Sequence, residues 1–149
     1  MTIKMSSKSN GKLKKEVWGW CSLYTRIRDS IDYCKKIRIP LDSGIVQCCT
    51  CPEIKQWKYM QAGHFIGRGA GGGSGVYFDE RNINTQCNCC NAFQQGNALA
   101  YRDFMLDKYG QEVIDELRWL DRNNSYKGKL IGLGLYYKQK YEELTRSVK

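Results

Sequence analysis

The chain contains no apolar run long enough to cross a bilayer, and the basic stretch at its N-terminus, MTIKMSSKSNGKLKK, has no apolar segment behind it. Neither a membrane span nor a secretion signal is expected, so the expected location is cytoplasmic. No internal repeat is visible. The glycine-rich loop at 67–75 does not end in Gly-Lys-Ser/Thr, so it is not a P-loop, and no small-molecule cofactor is expected. Acidic residues are the minority, 15 Asp and Glu against 24 Lys and Arg, for a formal charge of +9. That surplus suits a partner with many phosphates, because a basic protein gains affinity by releasing condensed counterions from nucleic acid; a solubilising surface is the competing explanation. Histidine occurs once, at His64. What is plentiful is cysteine. Eight cysteines without a secretion signal argue against a disulfide framework, since cytosolic thiols stay reduced and Cys-x-x-C spacings there usually mean metal.

With 149 residues, 42% apolar and 26% charged, the chain reads as one folded domain, burying about 70% of its unfolded surface. Residues 1–12 are polar, basic and aperiodic, which predicts a flexible basic arm ahead of a single domain at 13–149. From Leu13 the pattern changes: Leu13, Val17, Trp20, Tyr24, Ile27, Ile31 and Cys34 fall on one seam of a long helix. The seam packs either on the chain's own C-terminal helices or in a dimer coiled coil. Basic residues occupy the other faces, and Arg26, Arg28, Lys35 and Lys36 are candidate contacts to nucleic acid. Pro40 and the turn-forming Asp42-Ser43-Gly44 end the helix. Two β-prone runs follow at 59–66 and 76–78, then a helix beginning near Cys90. Leu99, Phe104, Leu106 and Tyr109 mark a helix that Gly110 ends, and Val113, Ile114, Leu117 and Leu120 mark another. Residues 123–134 read as a loop before a last helix at about 135–146, where tyrosines alternate with lysines.

The stretch 48–97 carries the chemistry. Cys48-x-x-Cys51 and Cys87-x-x-Cys90 each turn two sulfurs toward one point, and together they complete the tetrahedral thiolate set of structural Zn²⁺. With all four positions filled, that ion has no place for a reacting water and serves as a staple. Four thiolates on Zn²⁺ bring the working charge to about +7. Cys49 and Cys89 sit inside the knuckles and could replace a ligand, whereas Cys21 and Cys34 fall on the first helix as small buried residues. The glycine loop is either a flexible connection or a place where a DNA backbone comes close.

Alone, a single histidine is a core residue or a zinc ligand. His64, however, lies between the knuckles, in Ala62-Gly63-His64-Phe65-Ile66. The order His64, Asn82-Ile83, Cys87-x-x-Cys90-Asn91 resembles the HNH branch of the ββα-metal (His-Me finger) nucleases, in the variant ending in Asn. A closer resemblance is to the phage lambda NinG (Rap) recombination protein family. It is carried by Tyr24-x-Arg26-x-Arg28-Asp29, Ala62-Gly63-His64-Phe65, Phe78-Asp79-Glu80-Arg81-Asn82, Gln86-Cys87, Cys90-Asn91, and Gly96-Asn97 followed by Tyr101-Arg102. It covers roughly residues 17–120.

That resemblance implies an α+β fold: a zinc-stapled, treble-clef-like ββα-metal motif between a long N-terminal helix and several C-terminal helices. It also implies structure-specific cleavage of branched DNA, such as Holliday junctions or D-loops, in phage recombination, leaving 5′ phosphate and 3′ hydroxyl ends. The location is then the host cytoplasm. His64 is the candidate general base, since an imidazole can deprotonate water near neutral pH. Asn91 offers an amide oxygen to catalytic Mg²⁺ or Mn²⁺, Asn82 bridges the loop and orients the histidine, and Arg68 is a candidate phosphate donor. Many HNH nucleases carry Asp just before the histidine as a second metal ligand; here that residue is Gly63, and Asp79, Glu80 or Asn97 could assist. A four-way junction presents two related strands, so a homodimer is expected. The rivals are a non-catalytic zinc-finger module binding DNA or RNA, which leaves the order of His64, Asn82 and Asn91 unexplained, and a zinc-stapled protein adaptor, which leaves the charge unexplained too.

Overall fold

The computed structural model describes residues 9–67 and 74–149. Arg68, most of the glycine loop and residues 1–8 of the expected arm lie outside the described residues. The long first helix, α1, spans Asn10–Ile37. It starts three residues before the apolar seam, because Ser9 caps it by accepting a hydrogen bond from the Lys12 N–H at 3.4 Å. Residues 10–12 are therefore helical, which corrects the expected end of the arm. The helix stops at Arg38, whose left-handed backbone (φ 60°) directs its N–H to the carbonyls of Cys34 and Lys35, two residues before Pro40.

Two small antiparallel sheets follow. Strands β1 (Ile45–Gln47) and β2 (Ile54–Gln56) form one hairpin. Strands β3 (Gln61–His64) and β4 (Ile83–Gln86) form the other pair, with Gln61 opposite Gln86, Gly63 opposite Asn84 and His64 opposite Ile83. The β-prone run at 76–78 is not the partner strand. It folds as consecutive turns, with the Tyr77 N–H donating to Ser74 and the Asp79 N–H to Val76. The turns send Val76 into one apolar cluster and Tyr77 and Phe78 into another. The true partner, Ile-Asn-Thr-Gln, is three-quarters polar yet buried throughout. Its side chains are accommodated by hydrogen bonds rather than by apolar packing.

Helices α2 (Ala98–Lys108) and α3 (Gln111–Asn123) flank Gly110, whose φ of 87° turns the chain between them as the sequence predicts. Helix α4 (Leu130–Val148) begins five residues before the expected position of 135. Its glycines read as loop, but Gly134 lies on the face of α4 that packs on α1, where a Cβ would be 3.4 Å from Val17. The seam of α1 is thus covered by the chain's own last helix, where Val17, Cys21 and Tyr24 meet Tyr137. A second cluster of Val46, Met60 and the cysteines surrounds the knuckles, and a third joins Val76 to Tyr101, Met105, Ile114 and Leu117. The architecture is α+β, mostly helical with two small sheets. Among the described residues no helix is long and apolar enough to cross a membrane.

One expected nucleic-acid contact is turned inward. Arg28, with a side chain only 14% exposed, pairs with Asp29 at 2.9 Å and donates to the carbonyls of Glu80 and Ile83. Asp29 in turn accepts from the N–H and hydroxyl of Thr85, both at 2.8 Å. The pair ties α1 to β4, so Arg28 is corrected from a DNA contact to a structural tie. Arg28→Ala leaves the Asp29 charge with only the Thr85 hydrogen bonds and takes the guanidinium donors from two carbonyls in a dry environment, and should destabilise the fold by about 3 kcal/mol, read by denaturant melts. A loss below about 1 kcal/mol would mean the tie is dispensable.

Candidate metal centre and the cavity beside it

The first knuckle forms the turn of the β1–β2 hairpin, and the second follows β4 directly and runs into a wide helical turn at Cys89–Phe93. The sulfurs of Cys48, Cys51, Cys87 and Cys90 all lie within 4.8 Å of one another, with Cys51 and Cys87 at 3.6 Å. Tetrahedral zinc with bonds of about 2.3 Å requires sulfur separations of about 3.8 Å, so this set fits Zn²⁺. The competing register is resolved by position: Cys49 packs beside the third apolar cluster, and Cys89 is exposed next to Gln94. Burial drives the Cys49 thiol pKa up. Burial also acts to raise Cys48, but hydrogen bonds from Thr50 and the Cys87 backbone bring it down to about 7. Around the sulfurs, the Cys90 N–H donates to Cys87, the Thr50 N–H to Cys48, and Asn97 Nδ2 to Cys90.

Beside this cluster lies an open cavity of about 380 Å³. Its walls include His64, Asn91, Gln61, Arg26, Trp18 and Tyr77. His64 ends β3. Its Nε2 is 2.9 Å from the Tyr77 carbonyl, and because a carbonyl only accepts, Nε2 carries the proton and Nδ1 is the basic nitrogen. The ring stacks on Trp18 at 4.7 Å and lies 4.5 Å from the Tyr77 ring. Asn82, fully buried, closes the base of the loop: its Oδ1 accepts from the Ile66 N–H, and its Nδ2 donates to the Ile66 and Val76 carbonyls. Its own carbonyl accepts from Phe65 N–H at 2.8 Å, so one asparagine fixes the backbone on both sides of the loop next to His64.

Asn91 sits in the helical turn after the second knuckle, and its Nδ2 donates to Gln61 Oε1 at 2.6 Å. An amide oxygen is a hard donor suited to Mg²⁺, and Mg²⁺ commonly uses one or two protein oxygens beside water and phosphate, so Asn91 fits such an ion. The suggested helpers are engaged elsewhere. Asp79 is paired with Arg81, Glu80 accepts from the hydroxyls of Tyr24 and Tyr136 at 2.8 and 2.5 Å, and Asn97 is tied to Thr50 and Cys90.

Arg26 reaches the cavity wall, stacking over Trp57 and donating to the carbonyls of Trp57 and Met60 at 3.4 Å. Lys35 and Lys36 are exposed in the last turn of α1, where cations also favour the helix dipole. Sequence reasoning missed Trp18 and Gln61, since aromatic and amide side chains at these spacings carry no motif; Gln86 was noted only as part of Gln86-Cys87, without a role, and its pairing opposite Gln61 across β3 and β4 is what links the two amides.

The model of the family described as bacteriophage lambda NinG protein matches residues 8–147. The chain is 33% identical over 110 residues to a protein ninG of Escherichia phage 933W, covering 67% of this chain and 49% of that relative. It is 30% identical over 105 residues to protein ninG of Escherichia phage lambda (67% and 48%), and 35% identical over 72 residues to that of Salmonella phage P22 (47% and 33%). The chain thus spans about half the length of the first of these relatives or less. No solved structure matches it. A match across nearly the whole chain, over a fold whose cysteines converge as the knuckle spacing requires, places it plainly: the chain belongs to the bacteriophage lambda NinG family.

Proposed function

We propose that this chain is a Mg²⁺- or Mn²⁺-dependent endonuclease of the HNH type that cuts branched DNA, with a closed zinc site as its structural staple. The observation that carries the reading is that His64 and Asn91 line one cavity, with Asn82 closing the loop between β3 and β4. In support of the reading, the antiparallel β3–β4 pair is followed by a helical turn, the order expected of a ββα site, and the hairpin knuckle is consistent with a treble-clef-like arrangement. In the proposed reaction His64 Nδ1 takes a proton from the attacking water, while the Tyr77 carbonyl and the Trp18 ring keep the imidazole in one orientation. Arg26, on the cavity wall, offers positive charge to the scissile phosphate; Arg68 remains a second candidate. A bound divalent cation would supply charge for the phosphate and the departing 3′ oxygen, held in part by Asn91.

Branched DNA as substrate rests on the family resemblance and on the charge of +9. A synthetic four-way junction should be nicked in Mg²⁺, leaving 5′ phosphate and 3′ hydroxyl ends. Binding without cutting under Mg²⁺, Mn²⁺ and other divalent ions would replace this reading with the non-catalytic zinc-finger module. Mass in solution, with and without junction, tests the symmetric dimer, and a monomer in the cutting complex would exclude it.

A further inference from the structure

The residue before His64 is glycine because no side chain fits there. A Cβ at Gly63 would lie 1.9 Å from Gln86 Oε1 and 3.0 Å from Asn91 Oδ1. Gln86 is fully buried and its orientation is fixed. Its Nε2 donates to Thr50 Oγ1 and to the Gly96 carbonyl, both at 2.9 Å, and since a carbonyl cannot donate, the amide nitrogen must face Gly96. That directs Oε1 toward Gly63, where it has no hydrogen-bond partner among the described residues. A buried acceptor without a donor is costly, and buried polar atoms of this kind call for a specific explanation. Asn91 Oδ1 approaches the same position, its amide oriented by the bond from Nδ2 to Gln61. Two amide oxygens, neither able to donate, therefore converge one residue from the candidate base.

We propose that Gln86 Oε1 is the second protein ligand of the divalent cation held by Asn91, standing in the space a side chain at position 63 would otherwise fill. The inference rests on the nuclease reading of the cavity. A hard cation satisfies both oxygens at once, and two neutral amides make a weaker site than one containing a carboxylate, so occupancy depends more strongly on the phosphate oxygens of bound DNA. The glycine and the glutamine form one device: Gly63 provides the space, and Gln86, opposite Gln61 on β4, reaches into it.

The test is a Mn²⁺ titration of the zinc-loaded chain, reading free Mn²⁺ by its electron paramagnetic resonance signal, with zinc content and thermal melt as controls. Gln86→Met, close in size but without the oxygen, should weaken Mn²⁺ binding about tenfold or more while zinc stays at one per chain. Gln86→Glu, which keeps the oxygen and adds charge, should tighten it about tenfold. Wild-type affinity in Gln86→Met, or no tightening in Gln86→Glu should the methionine variant lose its zinc, overturns the role of Gln86. Asn91→Ala separates the two levels. If it weakens Mn²⁺ binding and Gln86→Met does not, only the role of Gln86 fails. If neither does, the cation site of the nuclease reading fails with it.

Discussion

His64→Ala should lower single-turnover nicking of a four-way junction by about 10²- to 10⁴-fold while junction affinity stays within about twofold of wild type. The asymmetry follows from the site. The imidazole is held by a hydrogen bond to the Tyr77 carbonyl and by its stack on Trp18, so its removal takes away the basic nitrogen but none of the lysines and arginines proposed to meet phosphate. A general base works only when deprotonated. The wild-type rate should therefore rise with pH as the imidazolium loses its proton and then level off, and the alanine variant should lose that limb. His64→Gln is the companion variant, filling the space beside Trp18 without supplying a base, and should be as slow as alanine. If His64→Ala cut at the wild-type rate, or if both variants kept the same acid limb, another group would be the base.

Asn82 bears on the same result from further away. It touches the loop backbone on both sides and not the cavity, so Asn82→Ala should loosen the Tyr77 carbonyl that orients His64. That is a positioning effect, and a lower rate with an unchanged pH limb would distinguish it from loss of the base.

The sequence was most legible where spacing alone dictates geometry. Two residues between paired cysteines bring their sulfurs together in almost any surroundings, and the ligand set follows from that spacing. Periodicity likewise located α1 and α3, since an apolar stripe must be buried somewhere; α2 lies where expected, but Leu99 and Leu106 of its expected stripe are exposed and Tyr101 and Met105 are buried instead. Strand β4 was illegible for the opposite reason: Asn84, Thr85 and Gln86 are buried through hydrogen bonds to Tyr101, Asp29, Thr50 and Gly96, and no apolar pattern reports that. The start of α4 was hidden because Gly132 and Gly134 are poor helix formers that resemble a loop, whereas the packing of α4 on α1 around Tyr137 holds them in the helix. Arg26 and Arg28 show the limit for charge. They stand two apart on one helix, so they point in different directions; one reaches the cavity and the other the interior, and composition treats them alike.

Removing the zinc should have the largest effect on the fold itself. The chain should carry one Zn²⁺, and chelation, or replacement of Cys51 or Cys87 by serine, should unfold at least the segment from β1 through the Cys89–Phe93 turn. Magnitudes decide this. Structural zinc in small modules is worth roughly 10–16 kcal/mol of apparent binding energy at neutral pH, comparable to or larger than the roughly 5–15 kcal/mol that holds a typical domain folded. The hairpin that carries the first knuckle has little apolar packing of its own: β1 and β2 are three residues each, and the cluster around them is built from Val46, Met60 and the cysteines with Tyr33 and Trp57 at its edge. The damage also reaches the cavity, because Asn91 follows Cys90 directly and its N–H donates to the Cys87 carbonyl at 3.0 Å. Zinc loss should therefore abolish cutting by displacing Asn91, although the zinc touches no reacting atom. Because the ligands are thiolates, acid should release the metal, and the melting temperature should fall with pH in parallel with zinc content. Cys49→Ser and Cys89→Ser serve as controls and should keep one zinc, since both sulfurs lie outside the set. A purified chain that held no zinc, or a Cys87→Ser variant that melted with the wild type, would remove the staple from this account and leave the position of Asn91 without its support.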